Sequence, residues 1–162
     1  MTIAPEHSRV QDGGIGLRRY FTSTTASSNA GHPYDTVTWE RRDARISNWK
    51  TGEVAFEQLG VEVPSTWSLN ATNILAQKYF RGAPGTPERE WSLKQVVDRI
   101  VDTILDWSQK AGYFNSDYEA QAFTAELKYL PLPRTTASNP PVWFNLARHH
   151  PPHPPPARST PR

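Results

Sequence analysis

The chain contains no cysteine. Disulfides, thiolate metal sites and thiol redox chemistry are therefore excluded within it. No apolar run approaches the roughly 20 residues that a membrane-spanning helix needs. The stretch from Met1 to Asp12 also lacks the apolar core of a signal peptide. A cytoplasmic protein with no membrane partner is expected. Gly13-Gly14 and Gly16 have no apolar strand before them and no Gly-Lys-Ser/Thr after them, which sets aside a phosphate-binding loop.

Hydrophobic residues are also in short supply, at 36% with a mean hydropathy of −0.67. That is low for a chain packed throughout, so part of it is expected not to pack. The 6 Trp, 6 Tyr and 6 Phe pull the other way, because aromatics supply large buried areas. Folded segments joined to unfolded ones satisfy both observations. The net charge of +2 does not describe a basic surface. Residues 146–162 hold three Arg and no acid, and the remainder has 15 basic against 16 acidic residues. A nucleic-acid partner is not expected for a body this close to neutral.

Residues 1–32 read as a flexible lead segment, within which Leu17 to Thr22 is expected to form a short extended piece docked on the body. Residues 33–63 read as a small β unit. Thr36 to Trp39 alternates, and Ala44 to Ser47 and Glu53 to Glu57 flank a loop of hairpin length, Asn48 to Gly52. The charge-dense Glu40-Arg41-Arg42-Asp43 reads as a solvated turn with local ion pairs rather than a catalytic acid–base pair.

Three helices are expected, at about 65–81, 87–111 and 116–130. Ser65 or Thr66 caps the first, with Trp67, Ala71, Ile74, Leu75 and Tyr79 on one face. Asn70 and Asn73 lie on it and read as exposed surface ahead of the alternative, bonding to a neighbouring segment. Thr86 caps the second, followed by Pro87, Glu88 and Glu90. Its stripe runs from Trp91 through Val97, Ile100, Val101, Ile104 and Leu105 to Trp107, and marks it as a central core helix. Ser116 and Glu119 form a capping box for the third, which Pro131 and Pro133 stop. The expected core is Trp67, Trp91, Ile100, Ile104, Phe123 and Leu127. The fold class expected is mainly α with a small β-hairpin unit and disordered ends.

The body ends on Asn139-Pro140-Pro141-Val142-Trp143-Phe144-Asn145. Beyond it, six of the last 17 residues are Pro and three are His. This tail, 146–162, is expected to be extended and disordered. A weak metal site at His149, His150 and His153, or a proline ligand for an aromatic groove, ranks below that reading.

An ordered series of motifs resembles the N-terminal region of the adenosylcobalamin-dependent (class II) ribonucleotide reductases. It runs through Pro33-Tyr34-Asp35, Trp39 to Asp43, Phe56-Glu57-Gln58, Val61 to Pro64 and Trp67 to Ile74. It continues through Lys78 to Gly82, Gly85 to Glu90, Gly112-Tyr113-Phe114 and Val142 to Asn145. The resemblance covers about residues 15–145 in register, with 33–145 as the domain.

It implies a cytoplasmic oxidoreductase that converts ribonucleotides to deoxyribonucleotides for DNA synthesis, with ribonucleotide substrates and deoxynucleotide effectors. In the family, adenosylcobalamin generates a thiyl radical on a cysteine inside a ten-stranded α/β barrel, and a cysteine pair supplies the electrons. This chain has neither cysteines nor that barrel, so it is expected to be inactive alone and to bind no cobalamin; no catalytic or metal residue is assigned. The family reads Asn-Ser-Pro before Val-Trp-Phe-Asn, and the serine is expected to help hold substrate. Pro140 stands in its place, offers only its carbonyl and is expected to be an impaired substrate contact.

Pro, Arg, Ala and His in the tail are what GC-rich codons yield out of frame, which suggests a frameshift or a truncated gene. The alternative is a stand-alone helical binding or regulatory module with a Pro-rich tail.

Overall fold

A computed structural model describes residues 14–22, 31–136 and 139–146. Its first large element is an antiparallel ribbon of β1 (Trp39–Ser47) and β2 (Val54–Pro64). The turn between them is closed by the Gly52 N–H donating to the Asn48 carbonyl at 2.8 Å, with Asn48 Oδ1 accepting from Lys50 N–H. Register slips between Arg42 and Ala44, and there Asp43 Oδ1 accepts the Gly60 N–H across the ribbon at 2.9 Å. The slip keeps alternation in phase on both sides, so Ala44, Val61 and Val63 all reach the core.

The ribbon overturns the mainly α expectation. Its strands have 9 and 11 residues, each longer than the first or last helix of the fold, and they carry part of the core. The architecture is mixed α and β. Val61-Glu62-Val63-Pro64 continues β2 past the point where the hairpin was expected to end. The cluster Glu40 to Asp43 is strand rather than turn. Arg42 there is anchored to Glu40 and to the Ser65 and Trp67 carbonyls.

The first helix, α1 (Leu69–Ile74), starts later than expected because Ser68 is the cap, accepting from the Ala71 N–H. It runs on as a π turn, Leu75–Tyr79, in which Phe80 N–H reaches back to Leu75. Residues 80–92 are loop, not the start of the second helix. The reason lies in where their backbone groups go. Arg89 N–H closes a turn on Thr86, and the Trp91 carbonyl accepts the Glu62 N–H from β2 at 2.8 Å. The helix α2 (Leu93–Lys110) begins instead at a capping box, Ser92 with Gln95. The third, α3 (Asp117–Tyr129), is capped by Ser116 as expected.

The core sits between α2 and the ribbon. Leu93, Val96, Val97, Val61, Val63 and Leu132 are buried at its centre. Each such side chain contributes roughly 1.5–3 kcal/mol of transfer free energy. Of the expected core, Ile100 is buried, while Trp67, Ile104 and Leu127 pack partly buried against the cluster. Trp91 lies under the Arg41 guanidinium, and Phe123 pairs with Phe114. Trp107, expected to extend the stripe, is 54% exposed.

The lead segment docks as expected. The N–H groups of Tyr20, Phe21 and Thr22 and the Thr22 hydroxyl all donate to the Glu126 carboxylate. Phe21 stacks on Tyr129. Most of the expected flexible lead and the expected disordered tail lie outside the described residues. No described helix is long and apolar enough to cross a membrane.

Candidate functional site at the last described helix

The last described helix, α4 (Pro140–Asn145), is short. Pro140 at its first turn has no N–H to leave unsatisfied and a φ already suited to a helix. Pro140 and Pro141 are exposed, whereas Trp143 is buried with its ring 5.5 Å from that of Tyr79. The structure thus places Pro140 at the open end of a helix whose other turn is held in the body.

Arg99 holds it. This residue lies on the core side of α2 and is only 7% exposed. Its Nε donates to Glu90 Oε1 at 2.8 Å, Nη1 donates to the Trp143 carbonyl at 2.8 Å, and Nη2 donates to the Tyr79 carbonyl at 2.8 Å. The other Glu90 oxygen accepts the Arg81 N–H at 2.9 Å, and the Arg81 guanidinium donates to the Leu146 carbonyl. Beside them Arg89 donates to the Phe80, Gly82 and Ala76 carbonyls and to Gln58, whose amide donates to the Glu90 carbonyl.

A buried charge is tolerated when it is paired and hydrogen-bonded. Losing one partner of such a pair costs about 3–5 kcal/mol. Among the described residues the site assembles guanidinium donors, one carboxylate and backbone carbonyls. It can fix segments relative to one another; it offers no nucleophile. Sequence reasoning missed Arg99, Glu90 and Arg81. The available signal was a lone arginine inside the apolar stripe, between Val96-Val97 and Ile100-Val101, where a solvated face would not place it.

A second polar cluster lies on the neighbouring face of α2. Tyr34 donates its hydroxyl to Asp98 at 2.6 Å, and the Lys128 ammonium bridges Asp98 and Asp102 at 2.9 and 3.3 Å. Burial opposes the Lys128 charge, but the two carboxylates outweigh it and hold its pKa above the usual lysine value. Burial, reinforced by Asp98, pushes the Tyr34 hydroxyl far up, so it stays a donor. A groove of about 460 Å³ opens beside this cluster, with Arg19, His32, Asp117 and Lys128 on its walls. Among the described residues no group of His, Cys, Asp and Glu is placed to hold a metal ion. His149, His150 and His153 lie outside the described residues.

Residues 40–133 match the family model for the class II vitamin B12-dependent ribonucleotide reductases. The chain is 50% identical over 138 residues to the vitamin B12-dependent ribonucleotide reductase of Streptomyces coelicolor, covering 85% of this chain and 14% of that protein. It is 52% identical over 120 residues to the enzyme of Streptomyces clavuligerus, covering 74% and 12% respectively. The reductase of Rhodopirellula baltica is 39% identical over 130 residues, covering 80% and 12%. The chain therefore spans about an eighth of the length of the relatives it matches. By the extent of these matches, the chain belongs to the class II vitamin B12-dependent ribonucleotide reductase family and carries its N-terminal domain.

Proposed function

We propose that this chain is the non-catalytic frame of a cobalamin-dependent ribonucleotide reductase, inactive alone, which presents α4 and Pro140 at the edge of a ribonucleotide site completed elsewhere in the enzyme. The observation that carries the reading is the fixed attachment of α4: buried Arg99 grips it at Trp143 while Pro140 stays exposed. The frame supplies position. Removing a ribose hydroxyl by the family's chemistry needs a sulfur radical and a dithiol, and the chain has no sulfhydryl to supply either.

Adenosylcobalamin, which the family uses, does not fit the groove beside His32 and Lys128. The groove of about 460 Å³ is far smaller than a corrin ring with its nucleotide loop requires. The histidine on its wall, His32, already uses Nδ1 to accept the Tyr34 N–H. We assign cobalamin chemistry to the remainder of the reductase. Ribonucleotide substrate and deoxynucleotide effectors are assigned to the whole enzyme on the same basis, as is a place in the cytoplasm.

The test has two arms. The purified chain, supplied with adenosylcobalamin, ribonucleotide and a dithiol, is expected to form no deoxyribonucleotide and to leave the cobalamin spectrum unchanged. A chimera in which residues up to Leu146 replace the aligned segment of the Streptomyces coelicolor reductase is expected to be active. Turnover by the chain alone would sink the reading, as would an inactive but folded chimera.

A further inference from the structure

We infer that Arg99 is a positioning residue for the substrate-facing end of α4, acting with Glu90 and Arg81. The inference rests on the reading that Pro140 abuts the ribonucleotide, and deepens it by naming what sets the position of that end.

A helix as short as α4 does not hold itself in water. Its N-cap, Asn139, makes no side-chain capping bond. The place of α4 is therefore decided by contacts with the body. Val142 and Leu146 pack partly buried on the core, and the polar contacts given for α4 converge on guanidinium groups. Arg99 grips the Trp143 carbonyl at 2.8 Å, Arg81 grips the Leu146 carbonyl, and the Trp143 ring packs on Tyr79.

Arg99 also donates to the Tyr79 carbonyl at the end of the π turn and to Glu90 in the following loop. One planar group thus ties α2, the π turn, the loop and α4 together. Pro140 lies three residues before Trp143, about 4.5 Å along the helix axis. A shift at the gripped carbonyl is transmitted to Pro140 with little chain between to absorb it. Lysine cannot reproduce the fork, because a single ammonium does not span two carbonyls and a carboxylate in one plane.

The same loop explains why the grip is rigid. The Glu90 N–H donates to the Arg81 carbonyl, and Glu90 Oε2 accepts the Arg81 N–H, so the two residues are paired backbone to backbone and backbone to side chain. Arg89 fills the carbonyls of Ala76, Phe80 and Gly82 beneath them.

Hydrogen–deuterium exchange on the full chain tests the grip, and steady-state kinetics of the chimera tests its consequence. In Arg99→Gln and Arg99→Lys, the α4 amides of Val142 and Leu146 are expected to exchange at least about tenfold faster, while the β1–β2 amides keep their protection. Arg81→Gln, whose side chain is less buried, is the second variant should Arg99→Gln unfold the chain; it is expected to speed Leu146 exchange alone. In the chimera, Arg99→Lys is expected to raise KM for ribonucleotide about tenfold and change kcat by less than about threefold, since lost positioning of a binding group acts on ground and transition state alike.

Unchanged α4 protection in Arg99→Lys and Arg81→Gln overturns the inference. Lost protection with an unmoved KM leaves the grip standing and removes Pro140 from the substrate, which overturns the functional reading instead. Full rescue by lysine in both measurements also overturns the inference.

Discussion

The carboxamide of Asn73 brackets the backbone of Arg45. Its Oδ1 accepts the Arg45 N–H and its Nδ2 donates to the Arg45 carbonyl, both at 3.1 Å. The side chain behaves as a one-residue third strand on the open edge of β1. An unpaired edge invites association with other chains, and a bracketed one does not. Asn73→Ala removes both bonds and leaves the edge open. A loss of about 1–2 kcal/mol in urea unfolding is expected, from two bonds of about 1 kcal/mol each. Asn73→Asp is expected to be no better, because a carboxylate cannot donate to the Arg45 carbonyl.

Glu126 holds the lead segment through three consecutive backbone N–H groups and a hydroxyl. Burial works against its charge, but the Thr22 hydroxyl and the N–H groups of Thr22, Phe21 and Tyr20 outweigh it and draw the pKa below the usual 4.5. The folded-state value lies below the unfolded one. The stabilisation is therefore present above about pH 4.5 and is lost as pH falls through the folded value. Glu126→Gln turns one acceptor oxygen into a donor facing an N–H. The expected cost is about 1–2 kcal/mol, modest because the carboxylate is only partly buried. Amide exchange at Tyr20 to Thr22 should rise while α2 is unaffected, and the acid sensitivity of that exchange should vanish in the variant.

His32 caps the turn Pro33–Thr36 by accepting the Tyr34 N–H at Nδ1, and Asp35 accepts the His32 N–H in return. Burial, helped by the charge of Lys128, lowers its pKa; Asp98 and Asp35 oppose this, and Lys94 adds to it. The folded-state value is below 6.5, so between the two values the unfolded chain binds the extra proton. Stability contributed by the neutral cap is whole above pH 6.5 and declines as pH falls through the folded value. His32→Asn keeps an acceptor at the cap without a titrating group. Thermal melts from pH 7.5 to 5.5 should show a fall in Tm for the native chain that is reduced in the variant. Equal slopes would rule this cap out as the cause.

Legibility in the sequence followed how local each decision was. The start of α3 was readable because Ser116 and Glu119 act within four residues. The hairpin turn was readable because Asn48 and Gly52 close it themselves. The second helix was misplaced because Thr86-Pro87-Glu88 carries a good local start signal. A distant partner overrode it: β2 claims the Trp91 carbonyl through Glu62 and leaves Ser92 as the first free cap. The mainly α expectation failed for the same reason, since Val61 to Pro64 becomes strand only through its pairing with Trp39 to Arg42. At the junction, Pro140 is singled out by the family pattern alone, as a proposed substrate contact. Arg99 was not: its place inside the apolar stripe was a local sign of burial, but the carbonyls it grips lie 20 and 44 residues away and nothing local names them.

The loop that carries Glu90 depends on a glycine. Gly82 has φ +79°, where a side chain is strained, and a Cβ there would lie 2.4 Å from the Glu88 carbonyl oxygen. Backbone cannot swing aside as a side-chain tip can. Gly85 has nearly the same conformation, φ +81°, but open space around it. Comparing the two separates strain from clash. Gly85→Ala should cost about 1–2 kcal/mol from the left-handed conformation alone. Gly82→Ala carries the same strain and must also push Glu88 and Arg89 away, so a loss of at least about 3 kcal/mol is expected. The displacement would reach further than the loop. Arg89 donates to the Gly82 carbonyl, and Glu90 is the partner of Arg99. Gly82→Ala should therefore loosen α4 as well, seen as faster exchange at Leu146, whereas Gly85→Ala should leave α4 unchanged. Equal costs for the two substitutions in chemical denaturation would mean that the close approach to Glu88 carries no weight.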